Sequence, residues 1–409
     1  MRVVHVVPSL ATRTGGPAYA VAELCRALVG VGVGAQVFAT DQAGPAQLGG
    51  RSAGIPLQLP AAASEIDLCL FPVTRLPRLA YAAGLREALT GAAREADLIH
   101  IHSLFLYPSY AAYQAARATN TPYIVSPHGS LDPYIRRNGR LRKAATHAAW
   151  QARLFRHAAA IHATTPEEAD LWPAYARRRP VVIIPNGITL ADYTSLPDGA
   201  PFRHQFGIGA DDPLVINIGR ITAKKNLDTL VRAVARLHHQ HGLHAHLALV
   251  GPDDENLTPQ LTATAQHELI PGYVHFTGHL EGTHKLEALA AANAFALPSH
   301  SENFGIAVLE ALAAGTPTLI SPHVNLAPQL QTANAALITP PTPQATADGL
   351  HQLLTNTHLS QNLADNGRQF AATHDWTTIA TTMAAEYGRI LGRPTLGTTT
   401  PSYPIDSKV

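Results

Sequence analysis

Residues 294–321 read AFALPSHSENFGIAVLEALAAGTPTLIS. The stretch opens with an apolar run, AFALPS, and crosses a polar loop to Gly305. It then takes up the apolar spacing of a helix, GIAVLEALAAG, which Gly315 closes. TPTLIS supplies a second apolar run. The spacing predicts strand, loop, helix and strand. Short runs that are apolar throughout, without alternation, are those of parallel strands covered on both faces. The same rhythm recurs outward in both directions. VVHVV, AQVFAT, DLIHIH, PYIVS, AAIHAT and VVIIP precede it as strands, and LVINIG, HLALVG and YVHFTG belong to its own series. Two successive βα series predict an α/β chain of two doubly wound parallel sheets facing each other.

The length of 409 residues is too great for one ordinary core and fits two domains. The expected divisions are residues 1–190, residues 191–375, a C-terminal helix over 376–393 and a disordered Pro/Thr-rich tail over 394–409. Charge divides unevenly. Residues 1–195 carry 19 Lys and Arg against 12 Asp and Glu, whereas 196–409 carry 11 against 17. A basic half beside an acidic half points to something anionic facing one of them. Two cysteines without a CxxC pairing fit a reducing compartment. No run has the length of a membrane span, and the N-terminus lacks a signal-peptide core. The expected location is the cytoplasm, with attachment to the inner membrane face as an option.

Within 294–321, Glu302 falls in the loop at the strand's carboxyl end, and Glu310 about two turns into the helix. Eight residues of helix span about 12 Å. Glycosidase carboxylates stand about 5–9.5 Å apart, so the spacing disfavours such a pair. It suits a ligand lying along a helix start. Amides around Asn303, Phe304, Gly305 and Ile306 suit a pyrophosphate, and each glutamate suits a sugar diol. The plain alternative has Glu302 at a helix start and Glu310 on a solvated face.

Three other stretches carry candidate chemistry. INIGRITAKKN (216–226) places Arg220 and Lys225 after a strand, where cations offset a leaving diphosphate or merely decorate a loop. SLATRTGGPAYAV (9–21) places Gly15 and Gly16 between a strand and a helix, where bare backbone approaches phosphate or simply turns. SPHGSLDPY (126–134) places His128 directly after a strand, at the mouth of the sheet. His100 and His102 point to one side of their strand and either line the crevice or belong to the core. HHQHGLHAH (238–246) has five histidines but no HExxH and no acidic partner, so it reads as a solvated helix end, and no metal site is expected. From Pro133 to Pro166 there is no acidic residue. Basic and aromatic residues over 134–156, including Arg136, Arg137, Arg140, Arg142 and Lys143, are candidates for an anionic membrane surface. Nothing supports a nucleic-acid partner.

Taken together, the E-x7-E pattern of Glu302 and Glu310 with GRITAKKN, LVGPDDEN, HFTGHL, PNGI and GGPAYAV resembles the retaining glycosyltransferases of family four, glycosyl transferases group 1. The resemblance covers nearly all of residues 1–393. It implies the GT-B fold, two Rossmann-like domains facing across a cleft, and transfer of a sugar from a nucleotide-sugar, UDP- or GDP-linked, to a hydroxyl of a glycan or lipid-linked acceptor. It implies that Glu310 binds the ribose diol and Glu302 the donor sugar. Arg220 and Lys225 would hold the diphosphate with the amides of Gly16, Phe304 and Gly305, and His128 would lie near the donor sugar. His128, Glu302, Arg220 and Lys225 are thus the expected catalytic group, and neither metal nor cofactor is expected. Two departures stand out. Asn226 replaces the usual glycine after Lys225, and Gly251-Pro252-Asp253-Asp254 replaces a GxGP turn. The rival readings are a catalytically silent sugar-nucleotide binder and a phosphorylase or epimerase on the same architecture.

Overall fold

A computed structural model of the chain describes residues 1–42, 57–137, 143, 144 and 146–393. The tail 394–409 lies outside the described residues. So do Arg140 and Arg142 of the basic window and the side chains of Arg136 and Arg137. The chain divides into two compact units. One is Met1–Gly187 together with the helix Trp376–Ile390, and the other is Ile188–Asp375.

The first unit is built on a seven-stranded sheet of β1 (Arg2–Ser9), β2 (Gly34–Thr40), β3 (Asp67–Phe71), β4 (Leu98–His102), β5 (Tyr123–Ser126), β6 (Ala160–Ala163) and β7 (Val181–Ile183), in the order β3-β2-β1-β4-β5-β6-β7. Every pairing is parallel. The second unit has six strands, β8 (Leu214–Ile218), β9 (His246–Val250), β10 (Val274–Gly278), β11 (Ala294–Leu297), β12 (Thr318–Ile320) and β13 (Leu337–Ile338), in the order β10-β9-β8-β11-β12-β13. These pairings are parallel too. β4, β8, β9 and β11 are buried at every position, which explains why their sequences do not alternate.

Strand order reverses between β1 and β4 in one sheet and between β8 and β11 in the other. Ligands of such sheets bind outside the carboxyl ends at the reversal. In the second unit that point is bounded by the loops after β8 and β11, the stretches 219–226 and 298–305. In the first unit the corresponding loops carry Gly15 and Ser103. The backbone there is unusual. Ser103 and Phe105 after β4 and His128 after β5 all have positive φ, at 65°, 65° and 49°. Such conformations cost non-glycine residues free energy and gather at working edges.

Candidate functional site

The loop after β8 is held against the loop after β9 by close backbone contact. The Ile221 amide donates to the Pro252 carbonyl at 2.8 Å, and the Gly219 amide donates to that of Val250 at 2.8 Å. Gly251 lies at φ 147°, and a Cβ on it would stand 2.2 Å from the Gly219 oxygen. Only glycine permits that approach. Gly251→Ala is therefore expected to destabilise the second unit by about 2–4 kcal/mol, as combined strain and clash. Chemical denaturation checks this, and a loss below about 0.5 kcal/mol would show that the loops part without cost.

The departures from the family pattern have local explanations. Asn226 takes the left-handed conformation that glycine would otherwise supply, at φ 55°. Asparagine tolerates it better than most residues. Its side chain adds bonds that glycine cannot make: Nδ2 donates to the Pro298 and Pro341 carbonyls at 3.2 Å, and Oδ1 accepts from Thr229 Oγ1 at 2.9 Å. The loop is thereby tied to the end of β11. In the second departure, the Asp253 carboxylate accepts the amides of Leu257 at 2.9 Å and Thr258 at 2.8 Å, capping the helix Thr258–His267. Asp254 Oδ2 accepts from Arg220 Nη1 at 3.3 Å and so aims the guanidinium.

Glu302 sits between two lysines. Lys224 Nζ and Lys225 Nζ each donate to one of its oxygens at 3.3 Å. Burial alone would raise the Glu302 carboxyl, but the two ammonium groups outweigh it and hold it down at about 2. Lys225 is itself buried, which draws its ammonium below the ordinary lysine value. Lys224 and Arg220 push the same way, and Glu302 opposes them. Glu302 is therefore a fixed anion at any working pH, unsuited to act as a general acid. Its backbone is pinned as well: its amide donates to His323 O and its carbonyl accepts from Asn325, both at 3.0 Å.

The helix Ile306–Ala314 follows, capped by Gly305 at φ 82°. Because Gly305 is left-handed, the helix starts at Ile306, and Glu310 is its fifth residue. Glu310 thus stands just over one turn in, not two. Its Oε1 accepts from Lys285 Nζ at 2.7 Å, and the pair is largely buried, so Glu310 is not on a solvated face. Burial would lower the Lys285 ammonium, yet Glu310 beside it raises it overall. Sequence reading assigns Lys224 and Asp254 no role in the site and does not single out Lys285, which sits on the separate helix Gly282–Ala291 and is brought to Glu310 only by the fold. In the second unit Lys225 and Glu302 pair directly, Arg220 acts on Lys225, Asn303, Phe304, Gly305 and Ile306 lead from Glu302 into the helix, and Glu310 lies in that helix on Lys285. Cations stand beside a helix N-terminus whose first amides have no partners within the helix, an arrangement suited to an anion.

Gly15, Gly16 and His128 belong to the first unit. Gly15, at φ 85° and ψ −152°, holds a turn open to glycine alone, and Gly16 begins the helix Gly16–Gly30. His128 follows β5, and its turn is fastened by the Gly129 amide donating to buried Glu168 Oε1 at 2.8 Å. His100 and His102 are core residues, fully buried and hydrogen-bonded. The 238–246 histidines depart from a wholly solvated helix end. His238 and His246 are buried, with His238 Nε2 donating to Ala245 O at 2.9 Å and His246 Nδ1 bonded to His275 Nε2 at 2.9 Å. Gly242 ends the helix and turns the chain inward to β9, which carries those two rings into the core.

Comparison with known proteins bears on the family and the fold. The family model described as "Glycosyl transferases group 1" matches residues 200–370, and that described as "Glycosyl transferase 4-like domain" matches 15–187. An uncharacterized glycosyltransferase, MJ1607, of Methanocaldococcus jannaschii is 27% identical over 198 residues, 46% of this chain and 48% of that protein. The D-inositol 3-phosphate glycosyltransferase of Actinosynnema mirum is 29% identical over 236 residues, 56% of each chain. The match thus spans about half the length of these two relatives. Among solved structures, Anabaena Alr3699/HepE in complex with UDP and glucose superposes with a TM-score of 0.76 at 19% identity, covering 95% of this chain and 100% of that one. That likeness places the two parallel-sheet units in the GT-B fold class. With one model on each unit and sequence relatives of the same kind, the chain belongs to the glycosyl transferases of group 1, carrying a 4-like domain ahead of the group 1 domain.

Proposed function

We propose that the chain transfers a sugar from a nucleoside-diphosphate sugar to an acceptor hydroxyl with retention of anomeric configuration. The observation that carries this reading is the pair Lys224 and Lys225 on a fixed Glu302 just ahead of the helix Ile306–Ala314, with Arg220 near enough to Lys225 to lower its ammonium. A leaving diphosphate develops negative charge, and preorganised cations with helix amides stabilise it without reorganising. These groups meet that charge without a resident metal ion. Glu310, with one oxygen on Lys285, offers the other to a ribose hydroxyl. Glu302 and His128 are assigned to the donor sugar. In a front-face path, the departing phosphate oxygen takes the proton of the acceptor hydroxyl as the new glycosidic bond forms.

HepE has been solved with UDP and with UDP-glucose, which makes UDP-glucose the first donor to try here. One relative is named for D-inositol 3-phosphate, which makes a phosphorylated polyol the first acceptor to try beside a glycan or lipid-linked one. A role in polysaccharide or glycolipid synthesis on the cytoplasmic side of a membrane fits the basic window over 134–156. Among the described residues no helix is long and apolar enough to cross a membrane, so any attachment would be peripheral. Thermal-shift screening against UDP-, GDP- and ADP-sugars identifies the donor, because a ligand that binds only the folded protein raises Tm by mass action. Hydrolysis of that donor separates an enzyme from a silent binder. The first-formed linkage is expected to keep the donor's anomeric configuration by proton NMR, with no glycosyl adduct on Glu302 by mass spectrometry. An inverted anomer contradicts the retaining reading.

A further inference from the structure

Five histidines and a tyrosine of the first unit form two hydrogen-bonded chains beneath the mouth of its sheet. His5 of β1 stands opposite His100 of β4, and His102 shares that face two residues on. The first chain ends on a group that can only accept. His162 Nε2 must donate to the Ile184 carbonyl at 2.8 Å, so its Nδ1 is bare and accepts the Ser126 hydroxyl at 2.7 Å. The Ser126 oxygen then accepts from His100 Nε2 at 2.6 Å, and bare His100 Nδ1 accepts the Tyr387 hydroxyl at 2.7 Å. Every proton in this chain is assigned. His5, His100 and His102 lie close enough to share a metal ion, but both nitrogens of His100 are already committed.

The second chain leads to His128. His5 Nδ1 meets His102 Nε2 at 3.0 Å, and His102 Nδ1 meets His128 Nε2 at 2.9 Å. Burial holds all three rings far below the ordinary histidine value, so they are neutral. A row of neutral imidazoles donates in one direction or the other, and its closed end decides which. That end, His5 Nε2, is buried and has no partner among the described residues. A bare nitrogen there forgoes one acceptor bond, whereas a proton there would be an orphaned buried donor, which folded proteins rarely keep. The direction follows. His5 Nδ1 donates to His102 Nε2, His102 Nδ1 donates to His128 Nε2, and His128 keeps its proton on Nδ1. That nitrogen has no hydrogen-bond partner among the described residues, and the residue is largely but not completely buried in its φ 49° turn at the end of β5.

We propose that His5 and His102 are positioning residues that fix His128 in its Nδ1–H form and hold its ring, so that it presents a donor to a hydroxyl oxygen of the donor sugar. The proposal rests on the assignment of His128 to that sugar. A histidine with the opposite tautomer would aim a lone pair outward, suited to a hydroxyl proton instead.

Long-range proton–nitrogen NMR on full-length protein labelled with nitrogen-15 histidine reads each tautomer directly, with no substrate present. The expected result is a His128 signal of the Nδ1–H form. His102→Leu, which removes the donor, is expected to give a mixture of the two forms. His102→Asn, whose amide NH2 stands where Nδ1 did, should restore the single form. With UDP-glucose as probe, His102→Leu should slow hydrolysis about tenfold in kcat with little change in KM, and His102→Asn should recover most of the rate. A His128 of the Nε2–H form in the unmutated protein overturns the proposal. So does a His102→Leu protein whose tautomer and kcat are both unchanged. If the tautomers behave as expected but His128→Ala hydrolyses UDP-glucose at the full rate, it is the assignment of His128 to the sugar that fails.

Discussion

Lowering the pH from 7 toward 5 is expected to unfold the first unit well before the carboxylates that hold the second are titrated. His5 and His128 are pushed down to about 3 and His162 to about 4, and His100 and His102 are also pushed well below 6.5, all chiefly by burial. The sign follows from linkage. Between 6.5 and those lowered values the unfolded chain binds protons that the folded one refuses, so stability rises with pH and is lost as pH falls. Each such ring contributes a slope of up to about 1.4 kcal/mol per pH unit. Several together exhaust a typical domain stability of about 5–15 kcal/mol within two units. The midpoint is therefore expected between about pH 4 and 6, with uptake of at least three protons. Glu302, held at about 2, loses its contribution only below the ordinary carboxylate range, so the window above pH 5 isolates the histidines. All three tryptophans, Trp150, Trp172 and Trp376, lie in the first unit, so their fluorescence follows that unit. Stability that is flat from pH 7 to 5 would contradict the buried neutral network.

The second large effect concerns the Lys225–Glu302 pair. Lys225→Met leaves a buried carboxylate with Lys224 as its remaining cation. Removing one member of a buried pair costs about 3–5 kcal/mol, which lowers Tm by roughly 6–20 °C for a unit of this size. The double variant Lys225→Met with Glu302→Gln removes the stranded charge and is expected to recover most of that loss, while remaining unable to bind donor. Differential scanning calorimetry of the two variants checks this. Equal destabilisation in both would show that the lysine stem, and not its charge, holds the loop after β8.

The parts of this molecule that were legible in the sequence are those whose signal is local. Strands covered on both faces announce themselves as unbroken apolar runs, and β4 and β11 are examples. β3 did not show, because it is the edge strand of its sheet and mixes exposed and half-buried positions. β13, two residues long, is too short to carry a pattern. The E-x7-E pair was visible, but its geometry depended on Gly305, whose left-handed backbone delays the helix and moves Glu310 nearer its start. What escaped altogether was partnership across long sequence separations. Glu310 finds Lys285, Glu302 takes Lys224 as a second cation, and Tyr387 reaches His100 from a helix 287 residues away. No periodicity encodes such contacts; they exist only once the sheet is assembled.

Group 1 membership and the cation cluster converge on one claim, that the second unit holds a nucleoside diphosphate through Arg220 and Lys225. Isothermal calorimetry with UDP, GDP and ADP tests it most directly, using the unmutated protein and Arg220→Ala. Arg220 is partly exposed, and among the described residues its side chain bonds only at its tip, to Asp254, so its loss should leave the fold intact. One of the three nucleotides is expected to bind, and Arg220→Ala to weaken it by about 1.5–3 kcal/mol, the worth of a hydrogen bond to a charged group. Binding of none of them, or equal binding by the variant, would contradict the account.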